Sequence, residues 1–225
     1  MNLILASSSP RRRELFDQLD LPYEARSPDG VDESTVNGAA YSVCQERARL
    51  KAEWVLSRCD TDADNVVVGC DTIVAIVRGG QERTLGKPEN EGEAREMLRT
   101  LSGSVHRVAS AIAIAREGAP TRVAVEVSHV TFRQLTDDAI EAYVRTGDPL
   151  DKAGAYGIQT RGHDLVASIR GCYLNIVGLP VMLMCEMLGA RTSYRCPCAD
   201  LRVGLRAGKR LQRTGCRLIL PVFLP

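Results

Sequence analysis

The chain begins with a short apolar run, Leu3-Ile4-Leu5-Ala6, that passes directly into Ser7-Ser8-Ser9-Pro10-Arg11-Arg12-Arg13. An apolar strand followed by hydroxyl residues and then proline predicts a strand-to-helix turn, with a serine N-cap and Pro10 in the first turn. Amides at a helix start lack internal partners, and the helix dipole makes that end positive, so it attracts anions. Three arginines there oppose the dipole, which favours Asp or Glu. Two readings follow. Either the helix is capped and its arginines face water, or the turn is one wall of a site for a polyanion such as phosphate.

The remaining composition narrows the class. A chain of 225 residues, 44% apolar and 25% charged, can bury a core as one domain or as two closely packed lobes. No apolar run is long enough to cross a membrane, and Met1-Asn2-Leu3 lacks the basic and apolar regions of a signal peptide. The expected compartment is therefore the cytoplasm, with cysteines such as Cys44, Cys59, Cys70, Cys172 and Cys185 reduced and packed as small apolar residues. The net charge of +1 conceals a split: from Arg191 onward there are eight basic residues and one acid. The other 21 basic and 27 acidic residues leave an acidic body, so an anion would need a local cluster of cations. The chain divides into a domain over 1–190 and a basic tail over 191–225, expected to be disordered or atypical. In that tail Cys196, Cys198 and Cys216 lack a clear fourth zinc ligand.

Helices are expected over Pro10–Leu19, Ala40–Leu56, Glu91–Leu101, Thr136–Arg145 and Pro180–Leu188. Strands are expected at Tyr23–Arg26, Val66–Val68, His106–Ala115, Arg122–Arg133, Leu165–Ile169 and Cys172–Val177, with a further apolar run at Ile73–Val77. Lys152–Gln159 reads as a small-residue loop or an irregular strand. This mixture predicts an α/β or α+β fold with a partly antiparallel sheet.

Asp71 is the sharpest single residue, because it follows Val66-Val67-Val68-Gly69-Cys70 at the expected end of a buried strand. A carboxylate there can hold a metal, act as a general base, or cap a turn. Asp32 and Glu33 form an acidic pair that could serve a metal or simply face water. Lys87, in Leu85-Gly86-Lys87-Pro88, is a candidate point charge for phosphate, and Lys51 shares a helix face with Arg47. In Lys152-Ala153-Gly154-Ala155-Tyr156-Gly157-Ile158-Gln159, small residues allow close backbone approach, and Gln159 can pair with a base edge. The histidines show no metal-ligand spacing.

Taken in order, Leu5–Arg12, Val31-Asp32-Glu33, Lys51, Gly69-Cys70-Asp71-Thr72, Gly86-Lys87-Pro88, Leu101-Ser102-Gly103, Lys152–Gln159 and Gly178-Leu179-Pro180 closely resemble the Maf family of nucleoside triphosphate pyrophosphatases. The resemblance implies an elongated two-lobed α/β fold of mixed sheet, like that of inosine triphosphatase, with the substrate cleft between the lobes. It implies cleavage between the α- and β-phosphates with a divalent cation, Mg²⁺ or Mn²⁺. Asp71 matches the family's proton acceptor, and Arg11, Thr72 and Gln159 match positions linked to substrate choice. Ser7, Arg12, Lys51, Lys87 and Lys152 match the polar cluster of the cleft, and Glu33 an acidic position that could share a metal with Asp71. The run Asp151–Gln159 looks like the branch acting on dTTP and UTP; the 7-methyl-GTP branch lacks this Gln. The competing readings are a non-catalytic nucleotide-binding regulator linked to septum formation and a 7-methyl-GTP-type pyrophosphatase. The partners implied are a nucleoside triphosphate and, at most, a second copy of the chain, with no membrane. Few aromatics and an acidic body disfavour a nucleic acid.

Overall fold

In the computed structural model, which describes residues 2–19, 21–60 and 64–190, one mixed seven-stranded sheet carries helices on both faces. The strands are β1 (Asn2–Ala6), β2 (Glu24–Arg26), β3 (Asn65–Arg78), β4 (Gln81–Leu85), β5 (Val105–Arg116), β6 (Ala119–Phe132) and β7 (Val166–Arg170). Their order is β2-β1-β3-β5-β6-β7, with β4 paired to β3. β1 runs parallel to β2 and β3, and the other pairings are antiparallel. The helices are α1 (Pro10–Asp17), α2 (Ala40–Leu56), α3 (Glu91–Leu101), α4 (Asp137–Val144), α5 (Tyr173–Val177) and α6 (Val181–Leu188).

The alternation of β5 sorts the two faces. Ala109, Ala111, Ala113 and Ala115 point toward α2, whereas Val108, Ile112 and Ile114 join the core under α1, α3, α4 and α6. The α2 side is built from small residues. Ala40, Cys44, Ala48 and Ala52 recur every fourth position on its buried stripe, and Gly69 on β3 lies beneath them. A Cβ at Gly69 would stand 2.2 Å from the Ala48 carbonyl oxygen and 2.8 Å from the Ala52 nitrogen. The helix therefore lies unusually close to the sheet.

Two expectations are corrected. The apolar run at Ile73–Val77 continues the Val66–Val68 strand without a break, so Asp71 lies inside the 14-residue β3 and not at its end. What changes at Asp71 is the neighbour. β1 pairs with residues 65–69 of β3 and β4 with residues 74–78, so residues 70–73 have no strand on that side. That gap divides the two lobes and opens the cleft. Cys172–Val177, expected as a strand, contains the short helix α5, closed by Gly178 at φ 119°. Its aromatic and β-branched residues favour strands, but burial of Leu174, Asn175 and Val177 overrides that preference. Of the two readings open for Lys152–Gln159, the structure takes the loop, with 3-10 turns at Asp148–Asp151 and Ala153–Ala155.

The tail at 191–225, with its three cysteines, lies outside the described residues. Among those described, no helix is long and apolar enough to cross a membrane. Replacing Gly69 tests the close packing of α2 on β3. Gly69→Ala is expected to lower the unfolding free energy by about 1–3 kcal/mol in urea titration, the usual range for overpacking. Wild-type stability in this variant would show that α2 can rise off the sheet freely.

Candidate active site

The gap in β3 is lined from both lobes. β1 ends at Ala6 and delivers Ser7 and the start of α1 to one side, and β4 ends at Leu85 and delivers Gly86-Lys87 to the other. α2 forms a third wall and the loop 151–160 a fourth, enclosing a cleft of about 930 Å³. Ser7, Arg11, Arg12, Glu33, Lys51, Asp71, Thr72, Lys87, Lys152 and Gln159 all line it. Ten of the residues singled out from the sequence thus reach one cavity, whereas Asp32 stays outside it and accepts from the Ser34 amide and hydroxyl.

Their engagements differ. The close packing of α2 lets Lys51 span two carboxylates: its Nζ lies 2.7 Å from Asp71 Oδ1 and 2.9 Å from Glu33 Oε1. Both Lys51 and Asp71 are about nine-tenths buried, and Asp71 Oδ2 is buried with no hydrogen-bond partner. A buried acceptor in that state costs about 1–3 kcal/mol unless a proton, water or cation meets it.

Arg12 ties three elements together. Its Nε donates to the Gly178 carbonyl at 2.9 Å, Nη2 to Thr72 Oγ1 at 3.0 Å, and Nη1 to Ser7 Oγ at 3.4 Å. Thr72 in turn contacts Ser110 Oγ at 2.8 Å, and Ser110 donates to the Asn175 carbonyl. The Gly178 turn, which reads in sequence as a plain connection, is therefore an anchor of the cleft wall. Its left-handed backbone requires glycine there. Ser9 occupies the N-cap of α1, but its side chain makes no capping bond; Ser7 Oγ instead accepts from the Ser9 amide at 3.2 Å. Arg13 is exposed, as a solvent-facing arginine should be.

On the opposite wall, Arg11 pairs with Asp151 at 2.7 Å. The ammonium of Lys152 is held by Asp151 at 2.5 Å and Asp148 at 3.0 Å. Burial raises the Asp151 carboxyl, but hydrogen bonds from Lys152 and Arg11 outweigh it and hold the group below its ordinary range. Lys87 and Gln159 are exposed on the cleft wall, and neither has a side-chain hydrogen bond among the described residues. Gly154, at φ 71°, donates its amide to the Gly86 carbonyl at 2.9 Å and fixes the small-residue loop beside Lys87.

Sequence reasoning missed two participants. Arg47, one helical turn before Lys51, reads in sequence as part of a solvated face. It lines the cleft instead, with a buried Nε that lacks a hydrogen bond and lies 3.7 Å from Glu33 Oε2. The i, i+4 spacing from Lys51 was the available signal. Asp148 was invisible, because it meets Tyr143, Lys152 and Thr160 only in the folded chain.

Among the described residues, no group of three His, Cys, Asp or Glu side chains converges on a metal position. Asp71 and Glu33, joined through Lys51, are two carboxylates with unspent acceptor capacity. That donor set fits Mg²⁺ or Mn²⁺, which take one or two carboxylates together with substrate phosphates and water.

A mixed α/β sheet with a deep cationic cleft at a break in strand pairing defines a polyanion-binding site of the kind expected at topological switch points. The family model for Maf-like proteins matches residues 2–191, and this chain belongs to that family. A relative from Moorella thermoacetica, named dTTP/UTP pyrophosphatase, is 45% identical over 83% of this chain and 93% of its own length. One of the same name from Thermococcus gammatolerans is 43% identical over 82% and 94% respectively. Among solved structures, the Staphylococcus aureus Ham1 protein overlaps 59% of this chain and 72% of its own, at 11% identity and a TM-score of 0.39. An overlap that loose carries no argument about this chain.

A buried histidine behind Tyr156 of the cleft wall supplies a pH test. His106 is buried, with Nε2 2.8 Å from the Tyr156 hydroxyl, Nδ1 unpartnered and Phe132 packed edge-on. Burial lowers its pKa from 6.5 to about 3. The unfolded chain therefore binds the extra proton first. The stability that neutral His106 contributes is complete above pH 6.5 and is lost as pH falls toward 3. At pH 5 the loss is about 2 kcal/mol relative to pH 7.5. Denaturant titrations at both values should show that drop in the wild type and a much smaller one in His106→Gln. Equal drops would assign the pH dependence elsewhere.

Proposed function

We propose that this chain hydrolyses dTTP and UTP to the nucleoside monophosphate and pyrophosphate, with Asp71 as general base. The observation that carries the reading is the Asp71 carboxylate itself: one oxygen is held by Lys51, the other has no partner, and the cleft around it is rich in cations. The names of the relatives at 41–45% identity support the pyrimidine substrates.

In this reading Arg11, Arg12, Lys51, Lys87 and Lys152, with the Ser7 hydroxyl, bind the triphosphate. Asp71 accepts a proton from water as the water oxygen bonds to the α-phosphorus. The bond from that phosphorus to the α–β bridging oxygen breaks, and its electrons leave with pyrophosphate. Positioning and charge stabilisation by the fixed cations do most of the work. A divalent cation, which Glu33 and Asp71 would hold, would neutralise part of the phosphate charge. Gln159 reads the O4 and N3–H edge shared by thymine and uracil through its paired donor and acceptor. The setting that accompanies this reading is the cytoplasm, consistent with free thiols at Cys44 and Cys70.

The test is pyrophosphate release from a nucleotide panel with Mg²⁺ or Mn²⁺. Asp71→Asn should lower kcat about 100-fold or more, as loss of a general base does. Lys87→Ala should raise KM for dTTP about tenfold while leaving the fold intact. Release from no nucleotide would favour the regulator, and wild-type rates in both variants would place the chemistry elsewhere.

A further inference from the structure

We propose that Asp148 is a positioning residue for base recognition, holding the segment that carries Gln159 at a fixed height in the cleft. The inference rests on the pyrophosphatase reading and extends it to how the base is told apart.

Gln159 has no side-chain partner among the described residues, so its placement depends on the backbone around it. That backbone is tied on both sides to one carboxylate. On the near side, the Gly157 amide donates to the Tyr143 hydroxyl at 3.0 Å, and that hydroxyl donates to Asp148 Oδ2 at 2.5 Å. On the far side, Thr160 Oγ1 donates to the same Oδ2 at 2.5 Å. The other oxygen, Oδ1, is 3.0 Å from Lys152 Nζ, which also donates to the Asp148 carbonyl at 2.8 Å. Residues 157 and 160, which bracket Ile158-Gln159, are thus referenced to a single anchor.

The anchor is stiff. Its side chain is 17% exposed, and α4 holds Tyr143 in the core. There is no slack at Gly157 either: a Cβ there would lie 2.5 Å from Lys152 Cε and 2.8 Å from Thr160 Oγ1. Ile158 is buried while Gln159 is exposed, so the segment can present the amide in only one sense. Burial raises the Asp148 carboxyl, but hydrogen bonds from Thr160, Tyr143 and Lys152 outweigh it and keep the group below its ordinary range. A bidentate pair with a base edge tolerates roughly 0.5 Å of displacement. A segment released from Asp148 would lose that pair while the phosphate contacts of Arg12, Lys51 and Lys87, made from the other walls, persist, and Lys152 keeps its partner Asp151.

Steady-state kinetics on dTTP and dCTP, with inorganic pyrophosphate as a base-free inhibitor, separate these roles. Asp148→Asn should raise KM for dTTP about tenfold and cut the dTTP-over-dCTP preference by a similar factor, the size of one lost directional contact. Its kcat for dTTP and its inhibition by pyrophosphate should stay within about threefold of wild type. Thr160→Val, which spares the Asp148–Lys152 pair, should move the same ratio in the same direction, and it decides the matter if Asp148→Asn does not fold. An unchanged ratio in folded variants overturns the positioning role. So does a loss of pyrophosphate inhibition in step with dTTP, because Asp148 would then act on the phosphates through Lys152. A wild type that releases pyrophosphate from no nucleotide overturns the underlying reading and this one with it.

Discussion

Between Gly69 and Val74, β3 loses one neighbour and gains another while keeping its pairing with β5 on the other side. A strand bonded along one edge is rigid, and an edge left open for four residues is accessible. Asp71 and Thr72 sit where both conditions hold. The same break decides what surrounds them, because the chain that leaves β1 must turn at Ser7–Arg12 and the chain that leaves β4 must turn at Gly86-Lys87. A carboxylate on a rigid strand, flanked by two cation-bearing turns, follows from the pairing pattern and needs no special loop.

The cleft's charges are arranged in tiers. It is lined by six cations and four carboxylates, so it carries excess positive charge inside an acidic body. Arg11–Asp151, with Asp151 60% exposed, is a pair worth about 0–1 kcal/mol. Phosphate oxygens can replace that partner at little cost. Lys51–Asp71 is different, because both groups are nearly buried and removing either would strand the other. In the proposed reading, a triphosphate entering the cleft would exchange the outer Arg11–Asp151 pair and leave Lys51–Asp71 in place. Lys87 has no such pair to exchange among the described residues, which makes it the cation most immediately available.

Local chemistry was legible in the sequence and long-range assembly was not. The Ser7–Arg13 turn, the valine run before Asp71 and the Gly86-Lys87-Pro88 loop are each carried by adjacent residues. Their order is what tied them to one family. The change of partner along β3 depends on where two distant strands end, and no periodicity within Val66–Val77 marks it. The helix at Tyr173–Val177 was hidden for the opposite reason: its residue types favour a strand, while buried contacts at Asn175 to the Val108 carbonyl and Ser128 hydroxyl select the helix. Arg47 shows the limit of helical spacing, which places it on the face of Lys51 without saying which way that face looks.

Cys70 illustrates how the wall behind Asp71 tolerates a reactive side chain. Its Sγ lies 3.2 Å from the Gly178 carbonyl, the same oxygen that accepts from Arg12 Nε at 2.9 Å. Burial pushes the thiol up despite the nearby Arg12 guanidinium, so it remains a weak donor and not a nucleophile. Cys44, on the α2 side of Asp71, is likewise raised by burial and contacts the Asp71 carbonyl at 3.3 Å. Two neutral thiols thus pack the backbone on both faces of the strand without adding charge next to the carboxylate. Thiolates there would oppose the bound triphosphate, whereas buried thiols fill the same volume and leave the cleft's positive potential intact.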